Sequence, residues 1–366
     1  MRRLPLRSRW EGDTLAERHG VEVVSRVADF ETEYHLVRDS VALTDFSFLR
    51  RYRLPTDQGI DLLDGLLPGN VARIRYGRVM QTFMADDDGR LLADCYVANN
   101  DEELILLCEA AAPDDLMARI IREADREGIA QDLTESHVLL SVDGFRAWAV
   151  VRDLFGADVL GLPYLSVELY PFEGEQVYLF RAGKTSEFGY LLMAPQNVGE
   201  RLFDAVRDAV SRQGGGRCGV EVHDSLRLEG RFFNIHAEGH RVGDPLVLGL
   251  QWMMDFEKSD FQGAATILRR RAEGLSRKVI GVLAAPGEDQ LKVGARLFHG
   301  TDEVAEVVAE TLSPVLGRRV ALAVFRSDVA YAGLPFSLGS PQGSEVSTIS
   351  MPPIMAKSLS VKLDEM

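Results

Sequence analysis

Apolar positions recur at helical spacing over residues 31–39, 56–66, 113–128, 144–156, 196–212 and 220–229, which predicts a helix in each. Asp143-Gly144 and Pro195-Gln-Asn supply start signals for two of them. Between the helices lie short runs rich in β-formers and bounded by turn residues: Arg90–Ala98, Glu103–Glu109, Val138–Val142, Leu165–Tyr170, Gln176–Arg181 and Tyr190–Met193. Helices and strands interleave irregularly, which predicts an α+β fold. After about residue 275 the pattern becomes β-like, at Lys278–Leu283, Val304–Thr311 and Val320–Phe325, with turns such as Pro286-Gly287 and Ser313-Pro314. The expected organisation is a main domain over 1–274, a small β domain over 275–340 and an extension over 341–366. The Ser-, Pro- and Gly-rich stretch from Gly339 to Pro353 has little periodicity and reads as a surface extension or as a cover over a site. No internal repeat or low-complexity tract is visible.

Charge narrows the partners. With 41 Lys+Arg against 56 Asp+Glu the net charge is −15, which argues against nucleic acid as the main partner. A 46% hydrophobic fraction is enough to build a sizeable core. Cys95, Cys108 and Cys218 are odd in number and lack CxxC spacing, which predicts a reducing, cytoplasmic setting. The N-terminal Met1–Trp10 segment is basic but has no apolar core of the kind a signal peptide needs. Apolar runs such as Leu104–Cys108 and Val320–Phe325 are strand-sized, so no membrane span is expected.

The common catalytic signatures are missing. Gly214-Gly-Gly-Arg-Cys-Gly219 has the letters of a dinucleotide loop, but it follows a helical pattern rather than a strand and reads as a helix-ending glycine loop. His236 and His240 have the i, i+4 spacing of metal ligands, yet a glycine interrupts them and no matching Cys or carboxylate cluster lies nearby. No metal is predicted, and neither a Gly-x-Ser-x-Gly elbow nor a P-loop occurs. What remains is a set of polar residues at element ends. Asp94 interrupts an otherwise apolar strand, where a carboxylate needs either an ionic partner or a job. Glu187 sits in a turn where its carboxylate can take two hydrogen bonds from an amide-like edge. Asp224 and Arg227 are three apart on one helix and read as a helix ion pair.

Several segments, in order along nearly the whole chain, resemble the aminomethyltransferase family: the T-protein of the glycine cleavage system and its folate-dependent demethylase relatives. Tyr34–Ser47 is similar to the family's "E-H-x-A-V-R-x-x-V-G-L-F-D-V-S-H" segment. Gly77-Arg-Val-Met-Gln-Thr82 and Asp88–Asp94 resemble "G-x-x-x-Y-T" and "G-G-I-x-D-D-L", and Arg181–Gly189 resembles "R-T-G-Y-T-G-E-x-G". Gly219–Glu229 resembles "G-L-G-A-R-D-x-L-R-L-E", the most specific of the set. Leu248–Trp252 with Lys258–Gly263 is similar to "G-L-G-W" with "K-x-D-F-I-G", and Ser313-Pro314 matches an "S-P" of the C-terminal barrel.

The resemblance implies a cloverleaf of α+β subdomains around a central folate pocket, followed by a small β-barrel. It implies tetrahydrofolate as the cofactor that carries the one-carbon chemistry, with position and electrostatics supplied by the protein. By the same token Asp94 falls on the catalytic aspartate, and Glu187 falls on the glutamate that clamps the pterin. Trp252, Thr82, Arg181 and Arg227 join Glu187 as expected folate-binding positions. Departures cluster around the implied pocket: Phe46 and Phe48 in "D-V-S-H", Gln81 in "Y-T", Ala93 in "D-D", and His223 for the arginine of "A-R-D". A histidine there is expected to do general acid–base work that arginine cannot. These changes point away from a lipoyl carrier protein and toward a small N-, O- or S-methylated molecule as donor. Two alternatives stand beside this one. An accessory role in iron–sulfur cluster assembly is disfavoured because Lys258–Gly263 lacks the cysteine of those relatives. A folate-independent reaction in the same cavity is the other.

Overall fold

Period-two alternation builds one mixed sheet of 11 strands within the first 217 residues. The computed structural model describes residues 1–362. Its sheet runs from the parallel pair Gly216–Arg217 and Ala42–Asp45 through His137–Asp143, Gly189–Pro195, Glu175–Arg181 and Ser166–Phe172. It continues through Arg78–Ala85, Leu91–Asn99, Glu103–Ala110 and Arg50–Pro55 to Gln131–Asp132. Helices Phe30–Asp39, Thr56–Leu66, Asp114–Ala124, Ala147–Phe155, Gln196–Arg212 and Val220–Gly230 pack around it.

The helix expected over 113–128 stops at Ala124, because the Asp125 carboxylate accepts from the backbone N–H groups of Ile129 and Ala130 and turns the chain away. The helix expected from 144 begins at Ala147. Gly144 cannot enter it: φ is +139°, and a Cβ there would lie 2.6 Å from the Ser40 carbonyl oxygen. The Gly214 loop does end a helix, with φ at +73°.

The β domain closes into a barrel of Arg277–Ala284, Arg318–Arg326, Asp302–Ser313, Arg296–His299, Pro335–Leu338 and Glu345–Ile349. Its last strand lies beyond residue 340, in the stretch expected to be an extension. Glu345–Ile349 pairs with both Arg277–Ala284 and Pro335–Leu338, so without it the barrel would have two open edges. The chain then runs back to the main domain, where the 3-10 turn Lys357–Ser360 meets Glu187.

All three cysteines are free and buried. Cys95 and Cys108 face each other across two paired strands, sulfurs 3.7 Å apart, in the cluster under helix Thr56–Leu66. Cys218 belongs to a different cluster, between helices Phe30–Asp39 and Val220–Gly230. No helix among the described residues is long and apolar enough to cross a membrane.

Candidate active site

Alternation along Leu91–Asn99 sends Ala93, Cys95 and Val97 into one apolar cluster and puts Asp94 and Tyr96 on the opposite face. The neighbouring strand is registered so that Glu109 lies directly across from Asp94. Two carboxylates side by side repel, and two cations arrive from elsewhere in the chain to neutralise them. Lys184, in the turn after Glu175–Arg181, pairs with Asp94, and its Nζ is 3.6 Å from Glu109 Oε2 and 4.8 Å from the centre of the Tyr96 ring. Arg227, on the helix Val220–Gly230, grips both Glu109 oxygens at 2.8 and 2.9 Å. Burial pushes the Asp94 carboxyl up and Lys184 restrains it. Burial raises Glu109 as well, but Arg227, His236 and Lys184 outweigh that and hold it well below the usual carboxylate range.

This quartet forms one wall of a small buried chamber. His223, one turn before Arg227, lines it along with Phe46, Ser141 and Asp143. The His223 imidazole is neutral at physiological pH, because burial and the Arg227 charge push its pKa down to about 3, and its Nε2 sits 2.9 Å from Thr44 Oγ1. General acid–base work near neutrality therefore does not come from this ring. Asp143 accepts from Ser141 Oγ, and burial pushes its pKa up to about 7. Two lining atoms, Tyr96 Oη and Arg227 Nε, are buried with no hydrogen-bond partner. Free space in the chamber is about 20 Å³, enough for a water or a methyl-sized group.

A wider recess of about 350 Å³ adjoins it, walled by Gln81, Tyr164, Arg231, Phe232 and Trp252. Gln81 links the two, because it lines the recess and donates from Nε2 to Asp94 Oδ1 at 3.2 Å. Tyr164 donates to the Gly183 carbonyl, next to Lys184, at 3.0 Å. Trp252 is 63% exposed, so its indole is free to take a flat ring.

Of the residues singled out in the sequence, the fold gathers Asp94, His223 and Arg227 at the chamber and Trp252 at the recess. It does not bring Glu187 there. Both oxygens of that carboxylate are engaged elsewhere: Oε1 by Arg38 at 3.2 Å and the Lys357 N–H at 3.3 Å, Oε2 by the Ser358 N–H at 3.0 Å. Thr82 is a buried tie, accepting from the Gly69 N–H and donating to the Met253 carbonyl, both at 3.1 Å. Arg181 donates to the Leu162 carbonyl and lies over the Phe188 ring. The expected Asp224–Arg227 pair does not form, because Arg227 turns to Glu109 while Asp224 pairs with Arg18. His236 stacks on His19 and reaches Glu109 at 3.4 Å, and no group of three or more His, Cys, Asp or Glu among the described residues is placed to hold a metal ion.

The sequence reading missed Glu109, Asp143 and Lys184, and it named Gln81 only as a departure near the implied pocket. Glu109 and Asp143 carry the same signal as Asp94, an acid closing a run of apolar β-formers, as in Leu104–Glu109 and Val138–Asp143. Lys184 stands where the resembled segment has tyrosine, and Gln81 where another has tyrosine, so both mark departures at the chamber mouth. Phe46 and His223, two more departures, line the chamber too.

Comparison with known proteins matches residues 21–258 to the GCVT N-terminal domain. An aminomethyltransferase of Synechococcus sp. is 30% identical over 86% of this chain and 87% of its own. The aminomethyltransferase of Bacillus subtilis is 25% identical over the same shares of the two chains. The crystal structure of glycine cleavage system aminomethyltransferase T from Bartonella henselae superimposes with a TM-score of 0.81 over 97% of this chain and 98% of its own, at 20% identity. That likeness covers sheet and barrel together, and with the sequence matches it establishes that this chain belongs to the aminomethyltransferase family.

Proposed function

We propose that the chain transfers a methyl or other one-carbon group from a small N-, O- or S-methylated molecule to tetrahydrofolate, which accepts the carbon. The observation that carries this reading is a small buried chamber and a wider recess linked through Asp94 and Gln81, with a partnerless polar atom on each of two chamber residues, Tyr96 Oη and Arg227 Nε. Leaving such groups unpaired costs about 1–3 kcal/mol each, so water or a polar ligand is needed to complete them. The recess of about 350 Å³ is the part that suits a pterin, to which Gln81 offers an amide and Trp252 a flat apolar face, while the chamber beside Asp94 takes no more than the transferred one-carbon group. Glu187, held by Arg38 and the tail, is left out of this assignment.

Asp94 is the group best placed to orient the reacting atoms. It stands at the junction of chamber and recess, held by Lys184 on one oxygen and Gln81 on the other, and such fixed charge contributes to catalysis by pre-organisation. A free small donor is favoured over a lipoyl carrier protein because Phe46, Gln81 and His223, at the chamber and recess, depart from the segments the chain resembles. The test incubates the protein with tetrahydrofolate and a panel of methylated amines, ethers and thioethers, and assays methyl- or methylene-tetrahydrofolate. Transfer from one donor class, abolished in Asp94→Asn, is the expected result. Absence of any product across the panel, with no calorimetric binding of tetrahydrofolate, would overturn the reading.

A further inference from the structure

Three carboxyls line the chamber, and they are not equivalent. Asp94 is spent on Lys184 and Glu109 on Arg227, while Asp143, among the described residues, forms no ion pair. Its neighbours are hydroxyls: Ser141 Oγ donates to Oδ2, and Thr185 Oγ1 lies 3.5 Å from Oδ1. The backbone is cut away to seat it. Gly183 and Gly189 pack against each other beside Oδ1, and an added Cβ would stand 3.0 Å from that oxygen at Gly183 and 2.7 Å at Gly189. Strand register fixes the carboxyl, since Asp143 is paired to Ala42 on one side and to Gly189 on the other.

The charged and titratable groups around it are Lys184, Arg227, His223, Asp94, Glu109, Tyr96, Tyr164 and Cys218. Both cations are engaged by other carboxylates, and His223 is neutral against Thr44, so nothing locks Asp143 into one protonation state. Burial lifts it to about 7, where both of its forms are populated at physiological pH. That is the range in which a general acid–base works best.

We infer that Asp143 is the proton-handling group of this chamber, distinct from Asp94, which holds the reacting atoms in place. The inference rests on the transfer reaction proposed above. Net transfer of a methyl group from a heteroatom to an N–H acceptor moves one proton the other way, and no oxidant or reductant is needed. Asp143 gives its proton to the donor heteroatom as the carbon–heteroatom bond breaks and its electron pair goes to the heteroatom. It then takes up the proton that the acceptor nitrogen sheds after bonding to carbon, which restores the starting state.

The experiment compares wild type, Asp143→Asn and Asp143→Glu in three measurements: transfer kinetics against pH, calorimetric Kd for tetrahydrofolate, and infrared titration of the ligand-free protein. Expected for Asp143→Asn are a fall in kcat of at least about 100-fold, Kd within threefold, and loss of the kcat limb near neutral pH. Asp143→Glu should recover part of kcat. In the ligand-free protein, a protonated-carboxyl stretch that titrates near pH 7 in wild type should vanish in Asp143→Asn. Wild-type transfer with an unchanged kcat and pH profile in Asp143→Asn would overturn the inference and leave the proposed function standing. A wild type that transfers nothing overturns both. If Asp143→Asn fails to fold, Asp143→Glu decides: an unshifted pH profile would reject the role.

Discussion

Two buried clusters of arginine and carboxylate lie in this molecule, built from the same residue types toward different ends. In one, Arg38 holds Glu187 at 3.2 Å and Glu229 at 2.7 Å, Tyr34 Oη donates to Glu229, and the amides of Lys357 and Ser358 close over Glu187. In the other, Arg227 and Lys184 neutralise Glu109 and Asp94, but the cluster faces a chamber and leaves Tyr96 Oη and Arg227 Nε unpartnered. Arg38 and Glu187 line neither the chamber nor the recess. Burying charges in pairs is a way to fix positions rather than to gain stability. Arg38 Nε is without a partner as well, so what separates an anchor from a site is the empty space beside the unused polar capacity.

The sharpest way to break the comparison is Arg38→Leu. It strands two buried carboxylates at once, so a loss of about 3–5 kcal/mol in urea unfolding is expected, or failure to fold. A loss under 1 kcal/mol would mean the node is no anchor. Asp94→Asn should weigh on the chemistry instead, with a 100- to 1,000-fold drop in kcat, about 3–4 kcal/mol in the barrier, and a smaller loss of stability than Arg38→Leu because Lys184 keeps Glu109 at 3.6 Å. Equal damage to Tm and kcat would make Asp94 another structural acid.

Next comes a pH effect on stability. The folded pKa of Asp143, about 7, lies above its unfolded value, so the stability this group contributes is complete at acid pH and is lost as pH rises through about 7. Asp143→Asn has no charge to bury and should gain on wild type by about 3 kcal/mol between pH 5 and pH 8.5. Parallel stability curves for the two proteins would contradict this placement. The smallest effect is expected at the recess. Trp252→Ala removes an exposed ring and should weaken tetrahydrofolate binding about 5- to 10-fold, near 1 kcal/mol, without changing unfolding. An unaltered Kd would move the ligand away from this wall.

Much of the fold was legible in local pattern. Thr56–Leu66 and Gln196–Arg212 end where the helical spacing ends, and the nine predicted strand runs all fall within observed strands apart from one or two end residues. The strand Arg50–Pro55 was not legible, because its Arg-Arg-Tyr-Arg sequence looks solvated while Arg51 is fully buried against the Ser47, Leu49 and Thr134 carbonyls. Helix Ala264–Glu273 was missed too, its pattern dominated by a polar run of arginines. The site followed the same rule. Asp94 stood out as a lone acid in an apolar strand, but its partner Lys184 is 90 positions away, and no local period encodes that meeting. Glu187 shows the limit of resemblance: a motif locates the residue, while the neighbours that engage it come from the far end of the chain.

The three buried thiols give the molecule clocks of its own. Cys95 and Cys108 are 0% and 1% exposed in the sheet cluster, and Cys218 is 0% exposed behind the helix that carries His223 and Arg227. A thiol reagent reaches any of them only when the surrounding cluster opens, so labelling rates followed by mass spectrometry time two separate openings in unmodified protein. If Cys218 reacts sooner than the Cys95–Cys108 pair, the helix bearing His223 and Arg227 breathes independently of the strands bearing Asp94 and Glu109.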